Sequence, residues 1–332
     1  MSRPVRAAGA GRDVLEVEDL HVRFDLAGGH LHAVRGVSFA LAAGQRTGVV
    51  GESGCGKSTA ALALMGLLPP NAEVSGRVLL EGTDILAGGD ESVRPHRWRD
   101  IAMVFQGAMN AFNPVRTVGD QIAEPIVLLQ GRSRRYARGR AGELLDLVGI
   151  PAARAGRYPH EFSGGMRQRA ALAMALACEP KVLIADEPTT ALDVIVQAEI
   201  LTLLRNVTDE LGVAILFISH DLPAVARVTE RIAVMYAGRI VEEAPAAALL
   251  DAPRHPYSAA LIAALPDPWS DIPALAGIPG EPPRLDVPVT GCAFAPRCTW
   301  AAGVCRTAEP AAESIAGSTT ECHLLPLSGT PR

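Results

Sequence analysis

Three glycines, an ammonium group and two hydroxyls crowd into one short stretch, Gly51-Glu52-Ser53-Gly54-Cys55-Gly56-Lys57-Ser58, with Thr59 directly behind. The spacing is G-x-x-x-x-G-K-[ST], which cradles phosphate when it lies between a strand and a helix. Gly51, Gly54 and Gly56 let successive backbone N–H groups turn inward around phosphate oxygens, and the following helix N-terminus adds positive field. Lys57 brings a point charge to the β- and γ-oxygens, and Ser58 a hydroxyl for Mg²⁺. A second set follows at residues 181–188, KVLIADEP. Its apolar run Val182–Ala185 predicts a buried strand that ends on two carboxylates. Asp186 is placed to hold Mg²⁺, directly or through water, and Glu187 to orient or deprotonate an attacking water. Taken singly, each stretch also reads as an ordinary turn; taken together they predict hydrolysis of a Mg-nucleotide.

The flanking sequence supplies the elements these residues need. VLEVEDLHVRF from Val14 alternates like a strand and turns at Gly28-Gly29, and HAVRGVSFAL returns antiparallel as far as Ala43-Gly44. RTGVV predicts the strand before the glycine loop, and a helix follows that Pro69-Pro70 should stop. Residues 74–86 return to strand and turn, and 106–156 read as helical and loop-rich. A helix is expected after Ser163. The continuous apolar runs VLIAD and ILFIS, on either side of a helix from Val194 to Leu211, suit buried parallel strands. After Pro253 the texture turns Pro- and Gly-rich, with GIPGEPPR at 277–284, which puts a boundary near residue 255.

Composition narrows the class. The 332 residues are enough for about two domains. They are 48% hydrophobic but only 4% aromatic, so the core must be built from Ala, Val, Leu and Ile. Of 31 basic residues only Lys57 and Lys181 are lysine, and a chain that otherwise uses arginine keeps one lysine where a planar guanidinium would not fit a phosphate cradle. Lys181, opening its strand, reads as a solvated end charge. The net charge of −5 argues against a protein that coats nucleic acid. The start, MSRPVRAAGAGRD, lacks an apolar leader core, and no run reaches the roughly 18 apolar residues of a membrane span. A cytosol-facing chain is expected.

Further residues carry a family resemblance. Phe162-Ser163-Gly164-Gly165-Met166-Arg167-Gln168-Arg169 resembles the signature motif of ABC ATPases, with Ser163 lying 23 residues before Asp186. Gln106 resembles their Q-loop, His220 after ILFIS their switch histidine, and Ala191-Leu192-Asp193 their D-loop. Phe24 lies where their adenine-stacking aromatic is expected. The resemblance implies an α/β P-loop NTPase fold, the ABC nucleotide-binding domain, over residues 14–255. That domain has a RecA-like core, an antiparallel β subdomain and a helical subdomain at about 107–170, with a Cys-rich extension at 256–332. It implies that Phe24, Gly51, Ser53, Gly54, Cys55, Gly56, Lys57, Ser58, Thr59, Gln106 and Asp186 bind ATP. Ser58, Gln106 and Asp186 hold the Mg²⁺, while Glu187, His220, Gln106 and Lys57 serve hydrolysis. Ser163 and the Gly164-Gly165 amides open a helix and make a second anion site. By resemblance this site closes over the γ-phosphate held by an opposing ATPase subunit.

The wording narrows further. Phe105-Gln106, Met109, Asn113-Pro114, Thr117-Val118-Gly119 and Gln121-Ile122, TTALDVIVQAEIL at 189–201 and HPYSAALIAALP at 255–266 resemble the ATPases of oligopeptide/dipeptide importers. Gly107 and Ala111-Phe112 depart from that pattern, in a loop that faces the membrane subunits in such proteins. The resemblance implies a peripheral protein on the cytoplasmic face of the cell membrane. Its partners would be a second ATPase, usually a paralogue, two permeases and an extracytoplasmic solute-binding protein. Nickel importers share much of this wording, and a DNA-repair or translation ABC ATPase is the non-transport alternative. Against the latter, the chain holds one cassette, with no heptads between loop and signature. Arg132, Arg134, Arg135, Arg138 and Arg140 read as a solvated helical face, with anionic lipid as the alternative and nucleic acid disfavoured.

Six cysteines fall into two kinds. Cys55 and Cys178 read as small packing residues. Cys292, Cys298, Cys305 and Cys322 form C-x5-C-x6-C-x16-C. In a cytosolic chain a metal site is the better reading than disulfides, and zinc ribbons prefer absent C-x2-C pairs. The stretch GCAFAPRC at 291–298 resembles the extension of peptide-importer ATPases, some of which carry a [4Fe–4S] cluster, so such a cluster is expected here. Zinc and free thiols are the alternatives, and His323 reads as a surface residue.

Overall fold

A computed structural model describes residues 13–108, 111–190, 192–265 and 277–325. The alternating run from Val14 becomes β1 (Asp13–Leu26), which pairs antiparallel with β2 (Gly29–Ala42). With β4 (Ala72–Leu80) and the two-residue β5 (Thr83–Asp84) they form a four-stranded sheet in the order β2-β1-β4-β5. Its apolar face, including Leu15, Val17, Val34 and Val78, is fully buried against α1 (Lys57–Leu64) and the second sheet. The helix α1 ends sooner than expected. Gly66 takes a left-handed φ of 58°, and Arg97 donates to the Met65 and Gly66 carbonyls, both at 2.7 Å, so the turn closes before Pro69.

The second sheet has eight strands in the order β11-β12-β10-β9-β3-β8-β7-β6. Its central strands, β3 (Arg46–Val50), β6 (Ile101–Val104), β7 (Val182–Asp186), β8 (Ala214–Ile218) and β9 (Arg231–Tyr236), run parallel and are buried almost throughout. Continuous apolar runs such as VLIAD suit this setting because both faces of the sheet are covered. The strand β10 (Arg239–Pro245) is antiparallel to β9, and the hairpin β11 (Ala312–Ile315) and β12 (Ser318–Glu321) adds outside it.

Helices fill the remaining layers. A short α2 (Asp90–Val93) precedes β6. Thr117 and Ser133 cap α3 (Val118–Gln130) and α4 (Arg134–Leu147), accepting from Asp120 N–H and Tyr136 N–H. These helices pack on each other and on α5 (Gly164–Ala175) through Ile122, Ile126, Leu144 and Leu145, forming a helical lobe. The arginine stretch is part of this lobe's surface. Arg138 pairs with Asp120 at 3.1 Å, Arg140 with Glu143 and Glu179, and Arg132 lies over the Tyr136 ring. Next come α6 (Val194–Leu211), with the bounds expected of it, α7 (Leu222–Val228), α8 (Ala246–Asp251) and α9 (Pro256–Ala263). No helix among the described residues is long and apolar enough to cross a membrane.

The segment after residue 255 lies against the two sheets. Besides β12 on β10, His32 N–H donates to the Leu285 carbonyl at 3.0 Å, and Glu309 accepts from Arg35. Glu242, fully buried on β10, accepts from the backbone N–H groups of Arg254 and His255 at 2.8 and 2.9 Å. His255 is itself fully buried, and burial drives its pKa down to about 3; the neutral ring's Nδ1 accepts from Tyr257 N–H. Met109, Ala191, Pro266 and the first dozen residues lie outside the described residues.

Candidate functional site

The buried strand β3 delivers the glycine loop, and α1 receives it. Gly51 and Gly56 have φ of 155° and 107°, and a Cβ on either would run into a backbone carbonyl, that of Met235 and of Ala33 respectively. Gly56 is the N-cap of α1 and no side chain caps it, so the first-turn N–H groups stay free to face an anion. Lys57 is only 6% exposed, and its Nζ donates to the carbonyls of Gly51 at 2.8 Å and Glu52 at 3.0 Å. The ammonium is thus held over the loop. Cys55 beside it is buried, and burial raises its thiol pKa despite the nearby Lys57, consistent with a packing role.

The strand β7 lies two places from β3, so its last residue reaches the start of α1. Ser58 Oγ donates to Asp186 Oδ1 at 3.1 Å, joining the two sets of residues found in the sequence. Asp186 is 4% exposed, and burial raises its pKa, with the neighbouring Glu187 charge adding to the effect. Such a carboxylate gains from a cation at its free oxygen. Hydroxyl and carboxylate together are the hard oxygen donors that Mg²⁺ takes.

Glu187 is the hub. Its backbone has a left-handed φ of 46°, fixed by N–H donation to the Ile218 carbonyl at 2.8 Å. One carboxylate oxygen meets His220 Nδ1 at 2.9 Å. The other accepts from Gln106 Nε2 at 3.1 Å and Thr190 Oγ1 at 2.8 Å. Burial alone would raise its pKa; the contacts with His220 and Thr190 outweigh burial and lower it, which keeps the group ionised. The structure therefore brings Glu187 together with His220 and Gln106, and Asp186 with Ser58, while Lys57 stays on its own loop. Thr190 is an addition the sequence reading missed. The signal was a hydroxyl three residues after the glutamate, in a tight turn closed by Thr190 N–H on the Glu187 carbonyl.

Other expected site residues lie apart from this cluster. Phe24 is half-buried on β1, cross-strand from Leu31, and Leu31 lines a pocket with Ser53, Gly54 and Cys55. Ser163 caps α5, accepting from Met166 N–H at 3.3 Å, and is exposed. No described hydrogen bond joins Ser163, Gly164 or Gly165 to the glycine loop. A Cβ on Gly165 would stand 2.6 Å from Val196 Cγ1, so this glycine lets α5 and α6 approach closely. Val194 and Ile195, at the start of α6, are 81% and 75% exposed.

Cys292, Cys298, Cys305 and Cys322 line a single pocket with His255, Phe294 and His323. Gly291 brings two of the segments together, since a Cβ there would stand 2.5 Å from the Cys305 carbonyl, and Cys292 N–H donates to that carbonyl at 2.8 Å. Burial raises the pKa of Cys292 and Cys298 and takes Cys322 to about 11. The thiols converge, but no group of three or more His, Cys, Asp or Glu among the described residues stands close enough to grip one metal ion. A zinc ion needs sulfur at about 2.3 Å from a common centre, and the expected metal site at Cys292, Cys298, Cys305 and Cys322 is not drawn in that far. His323 Nε2 lies 2.9 Å from the Ala308 carbonyl, in keeping with its surface reading.

Comparison with known proteins gives the family. Residues 34–190 match the ABC transporter family, and residues 241–305 match the C-terminal region of oligopeptide/dipeptide transporters. The chain is 46% identical over 301 residues to the dipeptide transport ATP-binding protein DppD of Bacillus subtilis, covering 90% of each. It is 44% identical to the oligopeptide transport ATP-binding protein OppD of Haemophilus influenzae, covering 94% of this chain and 97% of the relative. A solved dimer of the ATP-binding cassette MJ0796, in a post-hydrolysis state with ADP and Pi, superposes with a TM-score of 0.62. It is 26% identical and covers 70% of this chain and 98% of its own.

Proposed function

The chain belongs to the ABC transporter family, and on that premise we propose that it is the ATP-hydrolysing subunit of a peptide importer. The observation that carries the hydrolytic part is Glu187, aligned by His220, Gln106 and Thr190 beside the Ser58–Asp186 pair. Mg-ATP supplies the γ-phosphoryl group that water takes. The loop N–H groups and Lys57 bind its phosphates, with Gly51, Ser53, Gly54, Cys55, Gly56 and Thr59 shaping the cradle. Ser58, Gln106 and Asp186 are the Mg²⁺ donors, and Phe24 stacks on the base. Glu187 orients the water and takes its proton, and His220 fixes Glu187 at the oxygen it meets.

Ser163, Gly164 and Gly165 stand apart from their own loop, which suits a second anion site that serves an opposing ATPase. Two such chains, or this one and a paralogue, then close over two ATPs and drive two permeases, with a solute-binding protein selecting cargo outside. The reading places the chain on the cytoplasmic face of the membrane and divides it near residue 255. Peptide cargo is supported by the names of the relatives and by the match at 241–305. ATPase activity of the co-expressed complex tests it: peptides should stimulate turnover and Ni²⁺ should not.

For the cysteine pocket, the reading is a [4Fe–4S] cluster. Four thiols on one pocket are a soft donor set suited to iron–sulfur ligation. A cluster is larger than an ion, so its thiolates stand farther apart than those of a zinc site.

A further inference from the structure

Arg297 lies between two of the pocket cysteines, Cys292 and Cys298, on a short turn at Ala295–Arg297. Its side chain is 4% exposed, and it points at the phosphate loop rather than at solvent. Its two terminal nitrogens fork onto the Glu52 carboxylate, Nη1 to Oε2 at 2.7 Å and Nη2 to Oε1 at 3.0 Å. The remaining donors are also used: Nε on the Pro279 carbonyl, Nη2 on the Ile278 carbonyl and Nη1 on the Tyr236 hydroxyl. A guanidinium so fully engaged is fixed in place, and a bidentate pair of this kind fixes its partner as well.

Glu52 is the second residue of the loop, and every polar group it has is held. Its N–H donates to Tyr257 Oη at 3.0 Å, and its carbonyl accepts from Lys57 Nζ at 3.0 Å. Tyr236, Tyr257 and Phe294 pack ring against ring behind it, at centroid distances of 4.5 to 5.4 Å. The line therefore runs unbroken from the cysteine turn through Arg297 and Glu52 to Lys57. Charge adds a second effect. A carboxylate in a loop that binds phosphates opposes the ligand's own negative charge, and the almost fully buried Arg297 neutralises it.

We propose that Arg297 is a positioning residue for the nucleotide site: by clamping and neutralising Glu52, it makes the cysteine-bearing extension a strap that sets the affinity of the phosphate loop for ATP. The inference rests on reading residues 51–58 as the ATP site. The test is equilibrium binding of a fluorescent ATP analogue, mant-ATP, to the full-length chain, alongside KM and kcat of the assembled transporter. Arg297→Ala should weaken binding and raise KM by about tenfold, the scale of one charge-assisted contact, while kcat changes less than about threefold. Glu52→Gln alone should change affinity less than about threefold. The double variant Arg297→Ala/Glu52→Gln should recover most of the lost affinity, because the unneutralised carboxylate is gone. A purely structural role for Arg297 gives no such rescue. If Arg297→Ala does not fold, Arg297→Gln retains an amide that can still donate to the Pro279 or Ile278 carbonyl, and the same rescue is expected of it. Wild-type affinity in the single arginine variant, or a double variant as weak as the single, overturns the proposal. Failure of the wild-type chain to bind mant-ATP overturns the ATP reading with it; binding by wild type with unchanged variants removes only the role of Arg297.

Discussion

The phosphate loop and the cysteine pocket are both sites of converging side chains, but they are built differently. The loop's eight residues are consecutive, and its geometry follows from φ values that glycine alone accepts readily, as at Gly51 and Gly56. The cysteines are spread from 292 to 322 and meet only because loops and 3₁₀ turns carry them back onto β9 and β10. A contiguous motif fixes most of its own shape, whereas a dispersed one borrows its shape from the fold beneath it. The two then differ in what a single substitution should do.

The sharpest separation comes from Glu187, the hub of the hydrogen-bonded cluster. Glu187→Gln should lower ATP hydrolysis by at least about 100-fold while nucleotide binding persists, since it removes a base and leaves the cradle. The ATP-bound variant, mixed with its cognate ATPase partner, should elute as a closed dimer in size-exclusion chromatography; persistent monomers would break the two-half-site reading. Lys57→Arg should cost a similar factor of about 100 in hydrolysis, because a planar fork replaces a point charge in a closed loop. Steady-state phosphate release measures both.

A smaller, differently shaped effect is expected at the pocket. Anaerobically purified wild type should show absorbance near 400 nm and bound iron. Cys298→Ala should lose that absorbance and lower the Tm by several degrees, yet leave a working hydrolytic centre in the protein that stays folded. Colourless, iron-free wild type would erase the contrast between an ATP site and a metal site. The least effect belongs to the other lysine. Lys181 pairs with Glu81 at 2.6 Å and Asp100 at 3.4 Å on a solvated strand end. Lys181→Arg should therefore change stability by no more than about 0.5 kcal/mol in urea titrations.

The same contrast explains what was legible in the sequence. The meeting of Ser58 with Asp186, and of Glu187 with Gln106 and His220, was legible because each sits at a strand end or loop that its own neighbours define. The apolar runs of β7 and β8 and the bounds of α6 were equally plain. Thr190 was missed because a hydroxyl in a turn has many bland uses. The end of α1 was placed at Pro69-Pro70, but Gly66 and the reach of Arg97 closed it earlier. The pairing of Arg297 with Glu52 spans 245 residues, and no local pattern in either segment points to the other. The inward approach of the cysteines was suggested by their crowding in an expected cytosolic chain and by family wording; their spacing in space depends on the turns between them.

The hairpin β11–β12 has a consequence for the border of the second sheet. Strand β10 offers its outer backbone groups to β12 through Glu242 and Glu243 opposite Thr320 and Thr319. Without residues 318–321 those groups have no strand beside them. An unpaired strand border is a template for another chain. A product truncated before residue 318 should therefore aggregate through β10 even with its ATP site intact, so the hairpin guards this border of the sheet.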